Sequence, residues 1–383
     1  MSHRVETNSA ALLSINLDAI CENWQLLKSR LDGAECAAVV KANAYGLGAD
    51  RVAPALFQAG CRHFFVAHLN EAIELRPRLG TDATLYVLHG ITPGAEIEYI
   101  SHNLVPVLNS LTQIDCWRKM ARQLDRRLPA ILQFDTGMAR LGLDNREINV
   151  LALNPELLDG IEIKYVMSHL ASAEDHDDPM NIRQLERFSE GLKKLSAERA
   201  SLANSSGIFL GNAFHFDLAR PGAALYGVAP IAGRPNPMRA VIRLQGKVIQ
   251  IRAIDAGVTV GYSHTWTAGQ RTRIATVSVG YADGYLRSLG NQSSVRLNGI
   301  KLPLVGNVSM DTITIDASKI PETQIHEGTL IDLIDPIDGV DAIAEDAGTI
   351  GYEILTSLGN RYARRYLGAC SAFPEQNTVK SVQ

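Results

Sequence analysis

The sequence predicts an α/β protein with an N-terminal (β/α)8 (TIM) barrel over residues 1–237 and a mainly antiparallel β domain over residues 238–383. Length is the first observation behind this: 383 residues exceed what one core usually supports, so two domains are expected. The second is an alternation, from about residue 14 to 226, of short apolar runs with helix-length amphipathic stretches. The third is a change of style near residues 235–239, after which apolar and polar residues alternate and long helical patterns become scarce.

In chain order, the apolar runs are CAAVV (36–40), HFFVA (63–67), TLYVL (84–88), LVPVL (104–108), AILQF (130–134) and IKYVM (163–167), with weaker ones near 201–204 and 216–219. Helices are expected between them, among others over 18–30, 111–126 and 180–199. Roughly eight such units fit a barrel, and a doubly wound sheet is the rival. The polar residues favour the barrel. Lys41, Asp135, His169, Asn204 and Arg220 all fall at or just after predicted strand ends, where barrel sites are built. The second part offers GKVIQIRAI (246–254), TRIATVSVGY (272–281), SVRLNGIKLPLVG (294–306), DTITIDAS (311–318) and GTLIDLID (328–335) as strands separated by glycine and Asx turns. The last dozen residues, polar and carrying Pro374, read as a loose tail.

An apolar fraction of 46% and a charged fraction of 20% are those of an ordinary globular protein, and a net charge of -4 argues against a nucleic-acid or anionic-membrane footprint. The cysteines at 21, 36, 61, 116 and 370 show no CxxC spacing, which favours a reducing compartment over disulfides or a zinc site. The first ten residues, MSHRVETNSA, carry no apolar run of signal-peptide length, and nothing later approaches a membrane span. The plain reading is a cytoplasmic protein without a metal.

The organising stretch is AAVVKANAYGLG (37–48). An apolar strand delivers Lys41 to its C-terminal end, followed by Asn43, Tyr45 and the glycines Gly46 and Gly48. Poor hydration there disfavours the ammonium form and suits a Schiff-base nucleophile, although by itself the pattern is also that of a lysine marking a strand's exit into solvent. The string VVKANAYGLG closely resembles the pyridoxal phosphate attachment motif of the alanine racemases, with Leu47 where that family commonly has histidine. The resemblance continues in family order through DTGMARLG (135–142), ANSSG (203–207), ARPGAALYG (219–227), TVGYSHTWTAG (259–269), VGYADGYLRSL (279–289), VGNVSMD (305–311) and GYEIL (351–355).

The resemblance implies pyridoxal 5'-phosphate as cofactor, bound by the barrel domain and anchored covalently on Lys41. Tyr45, Asn204, Ser205, Gly222, Ala223 and Tyr352 are then expected around the phosphate. Arg140 is expected at the phenolic oxygen and the substrate carboxylate, and Arg220 at the ring nitrogen. A guanidinium there stays protonated and leaves the ring nitrogen unprotonated, which weakens the ring as an electron sink and suppresses side reactions. His169 is expected to hold and tune a catalytic Tyr262 lent by a second subunit, making Lys41 and Tyr262 a pair of bases on opposite faces of the α-carbon. Tyr281, Met310 and Asp311 match the family's entrance and substrate-carboxylate site, and Arg287 its channel arginine. The implied enzyme is a homodimeric racemase interconverting L- and D-alanine, with D-alanine serving peptidoglycan.

Two departures bear on this. The family usually has a lysine, often carbamylated, where this chain has Gln133, so Arg140 is expected to be held by the Gln133 amide and a chloride. Asn307 stands where the family usually has another arginine. These keep open a racemase of broader range or one for serine or basic amino acids, and, further off, a barrel decarboxylase. A single-barrel cofactor carrier lacks the β domain and its tyrosine.

Overall fold

The computed structural model describes residues 8–368; the predicted C-terminal tail and Cys370 lie outside them. Seven parallel strands follow one another in chain order: residues 35–39 as Glu35–Cys36 and Ala38–Val39, then His63–Val66, Thr84–Val87, Leu104–Leu108, Leu128–Gln133, Ile161–Met167 and Ala200–Ser201. An eighth, Leu218–Ala219, pairs in parallel with Glu35–Cys36. On its other side Asp217 N donates to Ala200 O at 3.0 Å and Arg220 N to Ala203 O at 2.9 Å, which closes the ring. Near-continuous apolar sequence is what a strand covered on both faces requires. Four of the runs, ending in Val66, Val87, Leu108 and Gln133, are buried almost throughout.

Helices cover the ring. Leu17–Ser29 starts under an Asn16 cap, Leu111–Gln123 under Ser110, and Asn145–Leu153 under an Asp144/Glu147 capping box. Met180–Leu195 stops short of the expected residue 199 because Ser196 turns into the left-handed region at φ 48°. The last crossovers differ from the expectation of full helices. Only 3-10 turns, Gly207–Phe209, Asn212–Phe214 and Ala223–Tyr226, follow the last two strands. The place of a final helix is taken by Leu17–Ser29, where buried Asn23 bonds Leu225 O, Arg239 O and Arg239 N at 3.2, 3.0 and 2.8 Å.

The first strand, Ala11–Asn16, is not a barrel strand. It pairs antiparallel with Ile242–Ile254 and parallel with Ala363–Leu367, in a sheet completed by Thr272–Val277, Ser294–Leu297, Ile300–Pro303, Ile313–Asp316 and Leu330–Ile334. Every other pairing of this sheet is antiparallel. Its strand Ala363–Leu367 reaches back to the barrel mouth, where an Arg364 guanidinium nitrogen donates to Gly46 O at 2.5 Å and the Tyr366 hydroxyl to Leu47 O at 2.9 Å. A continuous hydrophobic core runs through barrel and sheet alike.

Candidate active site

Strand 35–39 is followed by Val40 and Lys41, and the chain then enters a left-handed turn in which Ala42, Asn43, Ala44 and Tyr45 take φ of 51, 54, 54 and 54°. Each such non-glycine residue costs about 1–2 kcal/mol, so the turn persists only because tertiary contacts hold it. Ala44 N bonds Val40 O at 2.9 Å, Gly46 N bonds Ala42 O at 2.8 Å, and Asn43 Oδ1 accepts from Ala49 N at 2.8 Å. Glycine is required at 46, where φ is 84° and a Cβ would lie 2.6 Å from Leu355 O of helix Gly351–Ser357. That close approach brings Tyr352 beside Tyr45, ring centroids 6.1 Å apart.

The turn presents Lys41 to a cavity of about 390 Å³ at the C-terminal end of the strands. Lys41, Tyr45, Arg140, His169, Asn204, Ser205, Arg220, Gly222, Ala223 and Tyr352 all line it, so the predicted cofactor-binding residues converge on one place. The lining carries Lys41, Arg140 and Arg220 and no carboxylate, which suits an anionic occupant. Burial, and Arg140 nearby, lower the Lys41 pKa from its ordinary value, against an opposing pull from Glu71.

One end of the cavity is a donor cradle. Ser205 Oγ accepts from Gly222 N at 2.9 Å and Ala224 N at 3.2 Å, which leaves its O–H free to donate. A Cβ on Gly222 would run into the Tyr45 hydroxyl, so the two approach as only glycine allows. Burial raises the Tyr45 pKa, keeping the phenol a neutral donor, and its hydroxyl has no hydrogen-bond partner among the described residues. Asn204 Oδ1 accepts from Gly207 N at 2.8 Å and fixes the adjoining turn.

Arg220 is buried deeper. It donates to Ser201 Oγ and, at 2.6 Å, to Ser168 O, with His169 Nδ1 at 3.5 Å. Burial pulls its pKa down to about 9, which leaves it charged at neutral pH. His169 falls to about 3 through burial, Arg220, Arg140 and Lys41, and is a neutral imidazole at pH 7. With Nδ1 toward a cation, its proton belongs on Nε2.

The expected Gln133–Arg140 contact is not formed among the described residues: the Gln133 side-chain Nε2 donates to Leu141 O at 3.2 Å, and no hydrogen bond runs from the guanidinium to Gln133 Oε1. The loop folds back on the strand, Leu143 N to Gln133 O at 2.8 Å and Asp135 N to Leu143 O at 2.9 Å. Asp135 Oδ1 collects Gly137, Met138 and Ala139 N at 2.9, 3.0 and 3.1 Å. Gln133 therefore fixes the main chain beside Arg140, its NH2 donating to the loop's own carbonyl.

The remaining predicted residues do not line this cavity. Tyr262 is 72% exposed, Met310 53% and Tyr281 43%. They gather on the second part of the chain: Asn307 Nδ2 donates to Tyr262 O at 2.9 Å, Tyr281 N to Ser309 O at 3.0 Å, and Ala282 N to Met310 O at 3.0 Å. Asp311 pairs with Arg361 at 2.8 Å. The Tyr262 loop holds Ser263 and His264 at positive φ of 60 and 51°, tied by Thr259 to His264 Nδ1 at 2.8 Å. Sequence reading missed His89 and Glu71. His89 lines the cavity just beyond strand Thr84–Val87, and the strand-end rule that selected Lys41 would have found it.

Fold and cavity together define a barrel enzyme with a lysine amine in an anion-binding mouth. Two family models match, "Alanine racemase, N-terminal domain" over residues 15–230 and "Alanine racemase, C-terminal domain" over 241–366. The chain is 51% identical to an alanine racemase of Rhodospirillum rubrum, over 95% of this chain and 97% of the relative. It is 50% identical to a catabolic alanine racemase of Mesorhizobium japonicum, over 95% of each. A crystal structure of alanine racemase from Bartonella henselae with covalently bound pyridoxal phosphate superposes at a TM-score of 0.90 and 44% identity, over 94% of this chain and all of that one. The chain belongs to the alanine racemase family.

Proposed function

We propose that this protein is a pyridoxal phosphate-dependent alanine racemase acting as a homodimer. The convergence of ten predicted residues on the Lys41 cavity carries this reading. The cavity fits the cofactor: three cations and no carboxylate suit its anionic groups, and the unpartnered Tyr45 hydroxyl with the Ser205 O–H makes a phosphate cradle. Lys41 would hold it covalently, with Tyr45, Asn204, Ser205, Gly222, Ala223 and Tyr352 at the phosphate, Arg220 at the ring nitrogen and Arg140 at the phenolic oxygen. When bound, the cofactor supplies an electron sink for the pair left when the α-hydrogen departs.

The chain's own groups then handle the proton. The lowered pKa of Lys41 leaves more free amine at neutral pH to take or return the proton on one face. The other face is served by the partner subunit's Tyr262, since this chain's own Tyr262 is turned to solvent. His169, neutral and carrying its proton on Nε2, donates to that phenol oxygen and steadies its anion, while Arg220 fixes the imidazole from behind. Arg140 with the partner subunit's Met310 N–H orients the substrate carboxylate, and Asp311 and Tyr281 frame the entrance. Of the expected 1–237 and 238–383 units, the first forms the cofactor-binding unit apart from strand Ala11–Asn16, which joins the sheet of the second, the unit that supplies Tyr262.

We place the enzyme in the cytoplasm, supplying D-alanine for peptidoglycan; no helix among the described residues is long and apolar enough to cross a membrane. Asn307, uncharged and engaged with the Tyr262 carbonyl, favours testing a wider substrate range. Racemisation of L- and D-alanine, with and without added cofactor and alongside a panel of L-amino acids, decides the matter. Carbon dioxide release, or inertness toward alanine in the loaded protein, overturns the reading. Gly222→Ala adds a methyl against the Tyr45 hydroxyl. Cofactor binding is expected to weaken by about 1–3 kcal/mol, roughly 5- to 150-fold, read by titrating cofactor into the stripped protein.

A further inference from the structure

Glu71 lies outside the cavity lining, yet its carboxylate joins the backbones of two neighbouring strand ends. Oε1 accepts from Ala42 N at 2.6 Å, in the residue directly after Lys41 and the first of the left-handed turn. Oε2 accepts from Ala67 N at 2.8 Å and His68 N at 2.9 Å, where strand His63–Val66 gives way to helix Leu69–Leu79. All three are backbone N–H groups bonded to a carboxylate, and such charge-assisted bonds are the strong kind. Ala67 itself lines the cavity. We propose that Glu71 is a positioning residue for the Lys41 amine, pinning the strained turn that carries it to the adjacent strand and supplying the negative charge that balances the cations around it.

The chemistry is specific to a carboxylate. However a glutamine is turned, its NH2 faces at least one of the three N–H groups, so bonds are lost at one end or the other. Aspartate keeps the charge but is one methylene too short to span both strand ends. Around Lys41 stand Arg140 from the loop after Leu128–Gln133, His89, His169, Arg220, Tyr45 from its own turn and Tyr352 from helix Gly351–Ser357. Burial and the Arg140 charge disfavour the ammonium form, and Glu71 favours it. Removing the carboxylate therefore lowers the pH at which Lys41 loses its proton.

This inference rests on Lys41 being the working amine, and the experiment separates the two. Full-length wild type, Glu71→Gln and Glu71→Asp, stripped of cofactor, are labelled with acetic anhydride across a pH series, and acetylation at Lys41 is read by peptide mass spectrometry. The Lys41 labelling midpoint is expected to move to lower pH in Glu71→Gln and to stay closer to wild type in Glu71→Asp. Both variants, reloaded, should lose on the order of 10²-fold in kcat/KM because the amine is misplaced. An unshifted midpoint in Glu71→Gln, with only a lower melting temperature, reduces Glu71 to a structural brace and overturns the proposal. If Glu71→Gln does not fold, a Glu71→Asp protein with wild-type kcat/KM overturns it as well. Wild-type protein inert toward alanine would sink the racemase reading while the labelling series still reports on the Glu71–Lys41 coupling.

Discussion

Lys41→Ala is expected to abolish covalent attachment of the cofactor and to cut alanine racemisation by about four orders of magnitude or more. Two functions leave together, the anchor and the base on one face. The turn that carries residue 41 should survive, because the bonds that hold it run between Ala42, Ala44, Gly46 and their backbone partners and through Glu71. None uses the Lys41 side chain. Circular dichroism should therefore match wild type while the visible absorbance of the bound cofactor is lost. Retention of that absorbance after dialysis would mean that another amine is the anchor.

Tyr262→Phe is expected to act on one face only. Net racemisation needs both bases and should fall by about 10²–10⁴-fold in either direction. Washout of the α-hydrogen into deuterated solvent is the discriminating readout. It should persist for D-alanine, whose hydrogen faces Lys41, and collapse for L-alanine, whose hydrogen faces the phenol. Equal loss for both enantiomers would contradict this assignment of faces.

The barrel was legible because parallel strands covered on both faces have no alternative but continuous apolar sequence, as in HFFV and LVPVL. The site was legible because strand ends aim side chains into one mouth: Lys41, His169, Asn204 and Arg220 meet there, whereas Asp135, selected by the same rule, lies outside the lining and turns to its own loop's N–H groups. Other features left no local trace. Asn43 tolerates the left-handed region, but nothing in the propensities of Ala42, Ala44 and Tyr45 announces it; the turn is closed locally by Gly46 and held by Glu71 and the strand Ala363–Leu367, which are distant in sequence. Strand Ala11–Asn16 has the same apolar alternation whichever sheet receives it, and its partners lie more than 200 residues away. Gln133 was read against a family pattern centred on a charge, whereas the amide found the Leu141 carbonyl. Tyr262 lies outside its own chain's cavity and is left in solvent there, so nothing local ties it to the site.

The central claim is that one molecule's amine works opposite another molecule's phenol. Full-length Lys41→Ala and Tyr262→Phe chains, tagged differently and co-expressed, can be purified as a mixed dimer. In a two-fold dimer one of its sites then combines a native lysine with a native tyrosine. The mixed dimer should racemise alanine at a rate far above that of either parent. A mixed dimer as inactive as its parents, or a fully active wild-type monomer in dilute solution, would contradict the shared site.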